Sequence, residues 1–313
     1  MIKVLSVGDV NVDVILRSGR PPKGKQVFLK DYEVHGGGCA ANFSLACARL
    51  GAKVKLLARV GDDHWGSFVL QELEKNGVDV QDVKVAEGKK TGVTFALVEG
   101  VERSFITYRG ENSVFSADDF NISDIRADIA HFPSFFLLEG QQSKLPQLME
   151  LVKERGALVS FDTGWDPFGV WSKNKILAAT LKKVDVFLPN LDEAREILKS
   201  RAGDSSLTKK LLGRGLKAVT IKEGERGSFV ADCEKSARVP PFKVDVVDTT
   251  GAGDVFNAAF MLSYFKTKDV ALAGRFANAA AAISVTGAGW AKYPKASEVN
   301  AVLRSSGFQP VKF

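Results

Sequence analysis

Cysteine, histidine and long apolar runs are what this sequence has least of, and each scarcity removes a class of protein. The three cysteines, Cys39, Cys47 and Cys233, form no Cys-x-x-Cys pair and no metal-ligand spacing with His35, His64 or His131. Neither a zinc site nor a disulfide framework is expected. Cys39 and Cys47 lie in an apolar, helix-like run and read as buried free thiols. No apolar stretch approaches the length that spans a bilayer. The opening Met1-Ile2-Lys3-Val4-Leu5 runs into a strand-like segment without a cleavage pattern, so the expected location is the cytoplasm, with no membrane partner. Basic tracts are missing too. Lysines and arginines number 43 against 37 acids, a formal net charge of +6, yet they are interspersed with acids, as in Lys182-Lys183 before Asp185. Without a basic tract or an aromatic stacking motif, nucleic acid is not an expected partner, whereas anionic small molecules suit the mild positive charge.

What is present suits a globular enzyme: 313 residues, 45% hydrophobic and 26% charged, enough for a large core. Short apolar runs at 3–7, 54–60, 157–162, 185–189 and 218–222 alternate with helix-like stretches at 39–50, 67–76, 144–155, 191–200 and 206–214. Such alternation predicts an α/β sandwich with a mostly parallel sheet covered on both faces. Two regions break it. Segments 10–16 with 26–34, and 91–98 with 102–108 turning at Glu99-Gly100-Val101, read as strands joined by turns. They predict a small antiparallel lid, formed by about 10–35 and 91–110, on one domain spanning 1–313.

The chemistry concentrates in Asp248-Thr249-Thr250-Gly251-Ala252-Gly253-Asp254, between a β-rich stretch at 244–247 and an apolar helix-like run at 255–265. Glycines at a helix N-terminus leave backbone N–H groups pointing outward in a positive dipole field, which is an anion site. Asp254 in the first turn can accept a hydroxyl proton while those amides neutralise a transferred phosphoryl group. Capping the helix is an equally open role for it on these residues alone. A second glycine segment, Gly36-Gly37-Gly38-Cys39-Ala40-Ala41-Asn42, also precedes a helix-like run. Asn42 is a lone amide among small apolar residues and either satisfies nearby backbone or reads substrate hydroxyls. This segment is neither a Walker A loop nor the dinucleotide fingerprint.

In this order and separation, the two glycine segments resemble the signatures of the PfkB, or ribokinase-like, family of carbohydrate kinases. The resemblance runs from Gly8-Asp9-Val10-Asn11-Val12-Asp13 to Phe276-Ala277-Asn278-Ala279-Ala280-Ala281-Ala282. It implies a ribokinase-like three-layer α/β/α sandwich with a small β-sheet lid, and Mg²⁺-dependent phosphorylation of an alcohol by a nucleotide. ATP is the expected donor and ADP stays open. Asp254 is then the implied general base, with Gly251, Ala252 and Gly253 as the anion turn. Asn11, Asp13, Gly37, Gly38, Asn42 and Glu139, a strand-end acid in the family, are implied in acceptor binding. Asn190, Lys222, Gly224, Gly227 and Asn278 fall on the nucleotide side, and Glu193 of Asn190-Leu191-Asp192-Glu193 is implied to act on Mg²⁺ through water. Asn190 and Glu193 also suit a helix-capping pair. Asp248, Thr250, Ser284, Gly287 and Gly289 match the positions that hold a monovalent cation such as K⁺ in some members, with Tyr293 near a family serine position.

Cys39 stands where ribokinase itself has lysine, which argues against ribose as acceptor. The stretch Asp162-Thr163-Gly164-Trp165-Asp166-Pro167-Phe168-Gly169-Val170-Trp171 resembles a fructokinase and 2-keto-3-deoxygluconate kinase segment but lacks its asparagine and arginine. An acidic sugar would need Arg103 or Arg109 of the lid instead. The expectation is a small neutral sugar or polyol; a nucleoside kinase, and a non-catalytic sugar- or nucleotide-binding regulator, are the alternatives. Exposed lid strands would be covered by pairing two lids in a homodimer.

Overall fold

The computed structural model describes residues 1–18, 23–99, 102–122 and 125–312. The chain opens with β1 (Lys3–Val7), β2 (Asn11–Leu16) and β3 (Tyr32–Gly37), then α1 (Cys39–Arg49), β4 (Lys53–Leu57), β5 (Arg59–Gly61) and α2 (His64–Lys75). Next come β6 (Val78–Asp79), β7 (Lys84–Ala86), β8 (Gly92–Glu99), β9 (Glu102–Tyr108), β10 (Ile129–Phe132), α3 (Leu145–Glu154), β11 (Leu158–Phe161) and α4 (Lys175–Leu181). The last third holds β12 (Val186–Phe187), α5 (Leu191–Leu198), α6 (Asp204–Leu212), β13 (Ala218–Lys222), β14 (Ser228–Asp232), β15 (Ser236–Val239), α7 (Ala252–Thr267), α8 (Val270–Ser284) and α9 (Ala296–Ser305).

Nine strands form one sheet in the order β15-β14-β13-β12-β11-β10-β1-β4-β6. It is parallel from β13 to β6, with β14 and β15 added antiparallel at one edge. Side chains alternate across it as a two-residue period requires. Val4, Ile129, Val186 and Ala218 face a core shared with α1, α2, α7, α8 and α9. Leu5, Ala130, Phe187 and Val219 face the core of α3, α4, α5 and α6. Burial on both faces explains why the strands read as continuous apolar runs. The expected α/β/α sandwich is therefore what forms.

The order in which strands are added reverses at β1, which has β4 and β6 on one side and β10 to β13 on the other. Open α/β sheets leave a crevice at such a switch point, outside the carboxyl ends of the strands. Into it project the ends of β1 and β10 and a separate four-stranded sheet of order β3-β2-β8-β9. This lid is mixed rather than antiparallel as expected. β2 pairs with β3 antiparallel but with β8 parallel, and β8 pairs with β9 antiparallel. Gly100 and Val101 of the expected lid turn lie outside the described residues.

Three boundaries differ from the sequence reading. The run at 54–60 breaks into β4 and β5, the latter pairing with β7 in a sheet of its own. The lid strand expected at 26–34 begins only at Tyr32 and continues through Gly36 and Gly37. The stretch at 244–247 is not a strand: residues 240–247 are irregular, with Val244, Val246 and Val247 exposed. Its valines suggested a strand because β-branched side chains fit half-buried surfaces, and here that surface is the wall of a cleft.

Candidate active site

Each glycine of the run at 36–38 has a physical reason for being there. A Cβ on Gly36 would lie 2.1 Å from the Trp290 ring, and one on Gly37 would lie 2.3 Å from the Asp13 carboxylate. Gly38 has φ of 91°, a conformation open to glycine, and turns the chain from β3 into α1 against the backbone of Asp9 and Asn11. The start of α1 is fixed from outside the helix. Asp9 accepts hydrogen bonds from the N–H groups of Cys39 at 3.1 Å and Ala40 at 3.3 Å. β1 therefore places α1, and α1 places Asn42.

Asn42 meets the other glycine segment there. Its Nδ2 donates to Asp254 Oδ2 at 2.9 Å, and its Oδ1 accepts from Trp290 Nε1 at 2.7 Å. Gly251, with φ of 74°, opens α7; a Cβ on it would lie 2.0 Å from the Tyr293 hydroxyl and 3.2 Å from Asn42 Nδ2. The N–H of Asp254 bonds the Gly251 carbonyl at 3.0 Å and that of Ala252 the Thr249 carbonyl at 3.2 Å, so the opening turn is tight. Asp254 is buried in this nest. Burial pushes its carboxyl up to about 8, the Asn42 hydrogen bond pulls it down, and the Asp162 and Asp9 carboxylates raise it against the opposing Lys222 ammonium.

On the other side of Asp254 lies a buried ionic knot. Lys222, at the end of β13, donates to Asp162 Oδ2 at 2.5 Å and to Asn257 Oδ1 at 3.2 Å, while Asn257 Nδ2 donates to the same Asp162 oxygen at 2.6 Å. The nearby Lys222 charge holds Asp162 below the usual carboxylate range despite its burial. Asn190 and Glu193 form a reciprocal capping box on α5, with 2.8 Å bonds in both directions. Burial first, and then the Asp162 charge, raise the Glu193 carboxyl to about 7.

Lys222 also borders a cleft of about 860 Å³ lined by Gly224, Gly227, Phe242, Val246, Gly253 and Asn278, among others. It takes in all of the expected nucleotide-side residues except Asn190, whose backbone pairs with Lys222. Asn278 donates to the Val239 and Pro240 carbonyls at 3.0 Å, tying α8 to the loop that forms the apolar wall.

The acceptor side is less uniform. Asn11 and Asp13 occupy one face of β2; Asn11 Oδ1 accepts from Asn112 at 2.6 Å, and burial with the nearby Asp9 charge raises Asp13 to about 7. Glu139 is not at a strand end as expected. It begins a 3-10 turn (Glu139–Lys144) beyond β10, is exposed, and pairs with Arg109 at 3.2 Å. The residue that follows β10 closely is Ser134, buried and with φ of 61°. Among the positions matched to a cation site, Thr250 N–H donates to Asp248 Oδ1 at 2.9 Å, and Asp248 N–H to the Val285 carbonyl at 3.2 Å, which joins the two loops. Ser284 donates back to Ala281, Gly287 packs beneath Lys292, and Gly289 lies against His35.

Asp9 was read only as part of the opening motif and Tyr293 only against a family serine position, while Trp290, Asn112 and Asn257 are site residues that sequence reasoning missed. Their only signal was proximity in sequence to the motifs, as with Trp290 beside Gly289.

Comparison with known proteins agrees with this fold. The family described as pfkB family carbohydrate kinase matches residues 1–295. An ATP-dependent ribose-1-phosphate kinase of Halopiger xanaduensis is 32% identical over 308 residues, covering 97% of this chain and 98% of its own. A ribokinase of Haemophilus influenzae is 30% identical over 91% of this chain and 93% of its own. The structure of Arabidopsis thaliana ribokinase complexed with ribose and ATP superposes with a TM-score of 0.82 at 26% identity, over 95% of this chain and 97% of the other.

Proposed function

This chain belongs to the pfkB family of carbohydrate kinases, and from that premise we propose that it transfers the terminal phosphoryl group of ATP to a hydroxyl of a small neutral sugar or polyol, with Asp254 as general base. The observation that carries the reading is the position of Asp254. It is the buried carboxylate on the first turn of α7 where the two glycine segments meet, with the apolar-walled cleft on one side and the lid on the other.

ATP is proposed to lie in that cleft, its base against Phe242, Val246 and the α8 surface near Asn278, and its phosphates toward Gly224, Lys222 and the turn at 251–253. Lys222, already charged and oriented by Asp162 and Asn257, neutralises phosphate charge without a conformational search. The acceptor would lie under the lid with its hydroxyls on Asp13 and Asn11, its reactive hydroxyl giving its proton to Asp254 as the oxygen attacks phosphorus. Among the described residues no group of three or more acidic, histidine or cysteine side chains could enclose a metal. That suits Mg²⁺, which keeps several waters and binds mainly to phosphates, with Glu193 as the side chain that would hold it through water. Bound there, it would neutralise charge on the transferred group. A monovalent cation at Asp248 and Thr250 would add charge beside the same turn; replacing K⁺ by choline should then lower turnover.

No helix among the described residues is long and apolar enough to cross a membrane. All three cysteines are free, as a reducing compartment keeps them, and the cytoplasm is the proposed location. The decisive measurement is a phosphoryl-transfer assay over sugars, polyols, sugar phosphates and nucleosides. Turnover on neutral sugars or polyols is expected. Preference for a nucleoside or a sugar phosphate would replace the acceptor assignment, and binding without turnover on any acceptor would make the chain a ligand-binding regulator. In the same assay Asp254→Asn should lose about a thousandfold or more in kcat while still binding ATP.

A further inference from the structure

The hydrogen bond that Asp254 receives does not stand alone. It is the second link of a chain that starts at an indole. Indole N–H is a donor only, so the 2.7 Å contact from Trp290 Nε1 must fall on the carbonyl oxygen of the Asn42 amide. That settles which way the amide points: its NH₂ faces Asp254 Oδ2, and the acidic oxygen accepts at 2.9 Å. All three groups are buried. The turn that carries Trp290 is itself anchored to the helix that carries Asn42, because Arg49 of α1 donates to the Ala291 and Tyr293 carbonyls. The Trp290 ring lies over Gly36, where any side chain would displace it.

We propose that Trp290 is a positioning residue for the phosphoryl transfer, locking the Asn42 amide so that it holds Asp254 Oδ2 and leaves Oδ1 to take the acceptor proton. The inference rests on Asp254 being the base. Its consequence is electrostatic as well as geometric. An amide N–H on one oxygen favours the carboxylate form, the form a base needs, against the burial that disfavours it. The other charged or titratable groups around Asp254 come from several elements: Asp9 after β1, Cys39 on α1, Asp162 after β11, Lys222 on β13 and Tyr293 after the Trp290 turn. Trp290→Phe removes the N–H together with the benzo-ring atoms that lie over Gly36, but alters none of these charged or titratable groups, so a packing loss alone would be the same at every pH.

The test is the pH profile of kcat/KM for the acceptor. Activity needs the carboxylate, so it falls as pH drops through the Asp254 pKa of the free enzyme. With the amide unlocked, that acid limb should move up by roughly one pH unit. The loss in Trp290→Phe is then about tenfold well below the limb and shrinks to about twofold near pH 9. Asn42→Ala should move the limb at least as far. An equal loss at every pH, or none, would mean that Trp290 only packs, and the proposal would fall. Because a variant can fail to fold, the wild type supplies a second reading by NMR. The Trp290 indole proton and the Asn42 side-chain amide should titrate together with the midpoint of the activity limb, and the titration should vanish in Asp254→Asn. Absence of that shared titration in the wild type overturns the proposal. Should Asp254→Asn instead retain turnover, it is the base assignment that fails, while the NMR coupling of the three side chains would stand.

Discussion

At the scale of single residues, the site holds several acids that are buried without a full set of charges to balance them. Burial lifts Asp254 to about 8, and Asp13 and Glu193 each to about 7. A carboxyl whose folded pKa exceeds its unfolded value binds its proton more tightly in the folded chain. Its contribution is complete below the unfolded value and is lost as pH rises through the folded one. His131 works in the opposite sense. Burial between Phe43 and Ser160 lowers it to about 3, so it costs stability only as pH falls below 6.5. Between pH 6.5 and about 8 the three carboxyls therefore decide the slope. The unfolding temperature of the ligand-free protein should fall across that window. Asp254→Asn should unfold at a higher temperature there and with a shallower slope, the trade of stability for activity expected of a buried base. Parallel melting curves for the two proteins across the window would contradict the buried-charge account. Legibility at this scale was uneven. Asp254 could be singled out because the companion glycine segment joined its turn to a family signature, whereas Ser134 carries no local pattern that separates it from ordinary loop residues.

At the scale of elements, two helix starts are proposed to carry the phosphate chemistry, and each can be tested through its own geometry. Gly251→Ala would place a Cβ against the Tyr293 hydroxyl and force a side chain to adopt φ of 74°. It should cost at least about 1 kcal/mol and reduce turnover at least about tenfold. Adding Tyr293→Phe removes the atom nearest the clash, so the double variant should recover part of the stability in a thermodynamic cycle, while the backbone cost persists. On α5, Asn190→Ala removes half of the capping box and should cost about 1 kcal/mol in chemical denaturation. KM for MgATP should change little, because the backbone N–H of residue 190 that holds the Glu193 carboxylate is kept in the variant. α1, α5 and α7 were legible from apolar spacing and from the residues at their starts. Residues 244–247 were misread because valine reports an apolar neighbour and not a ladder of hydrogen bonds.

At the scale of the whole molecule, the lid is the element most exposed. Ile106 and Tyr108 on β9, Phe95 on β8 and Tyr32 on β3 share one face of the lid sheet and are exposed. Large apolar patches of this kind mark interaction surfaces, and the proposed occupant is the same face of a second copy. Sedimentation equilibrium should give a dimer for the wild type and a monomer for Ile106→Asp. A wild-type monomer at assay concentration would remove the homodimer. The lid is also proposed to close over the acceptor, since excluding water prevents phosphoryl transfer to solvent. Scattering curves with and without both ligands should differ in the direction of compaction.

The sequence by itself determined the layered α/β architecture, the family and the identity of the proposed base. Those properties are written locally, in the period of apolar residues and in short runs of glycine, asparagine and aspartate whose backbone needs few conformations satisfy. Tertiary structure decided the partners. Asn42 could be read as a substrate contact from its own neighbourhood, but its amide is held between Asp254, 212 residues away, and Trp290, 248 residues away. A hydrogen bond depends on where atoms arrive after the sheet has set the helices. Nothing in the residues flanking an amide fixes which distant donor or carboxylate will reach it.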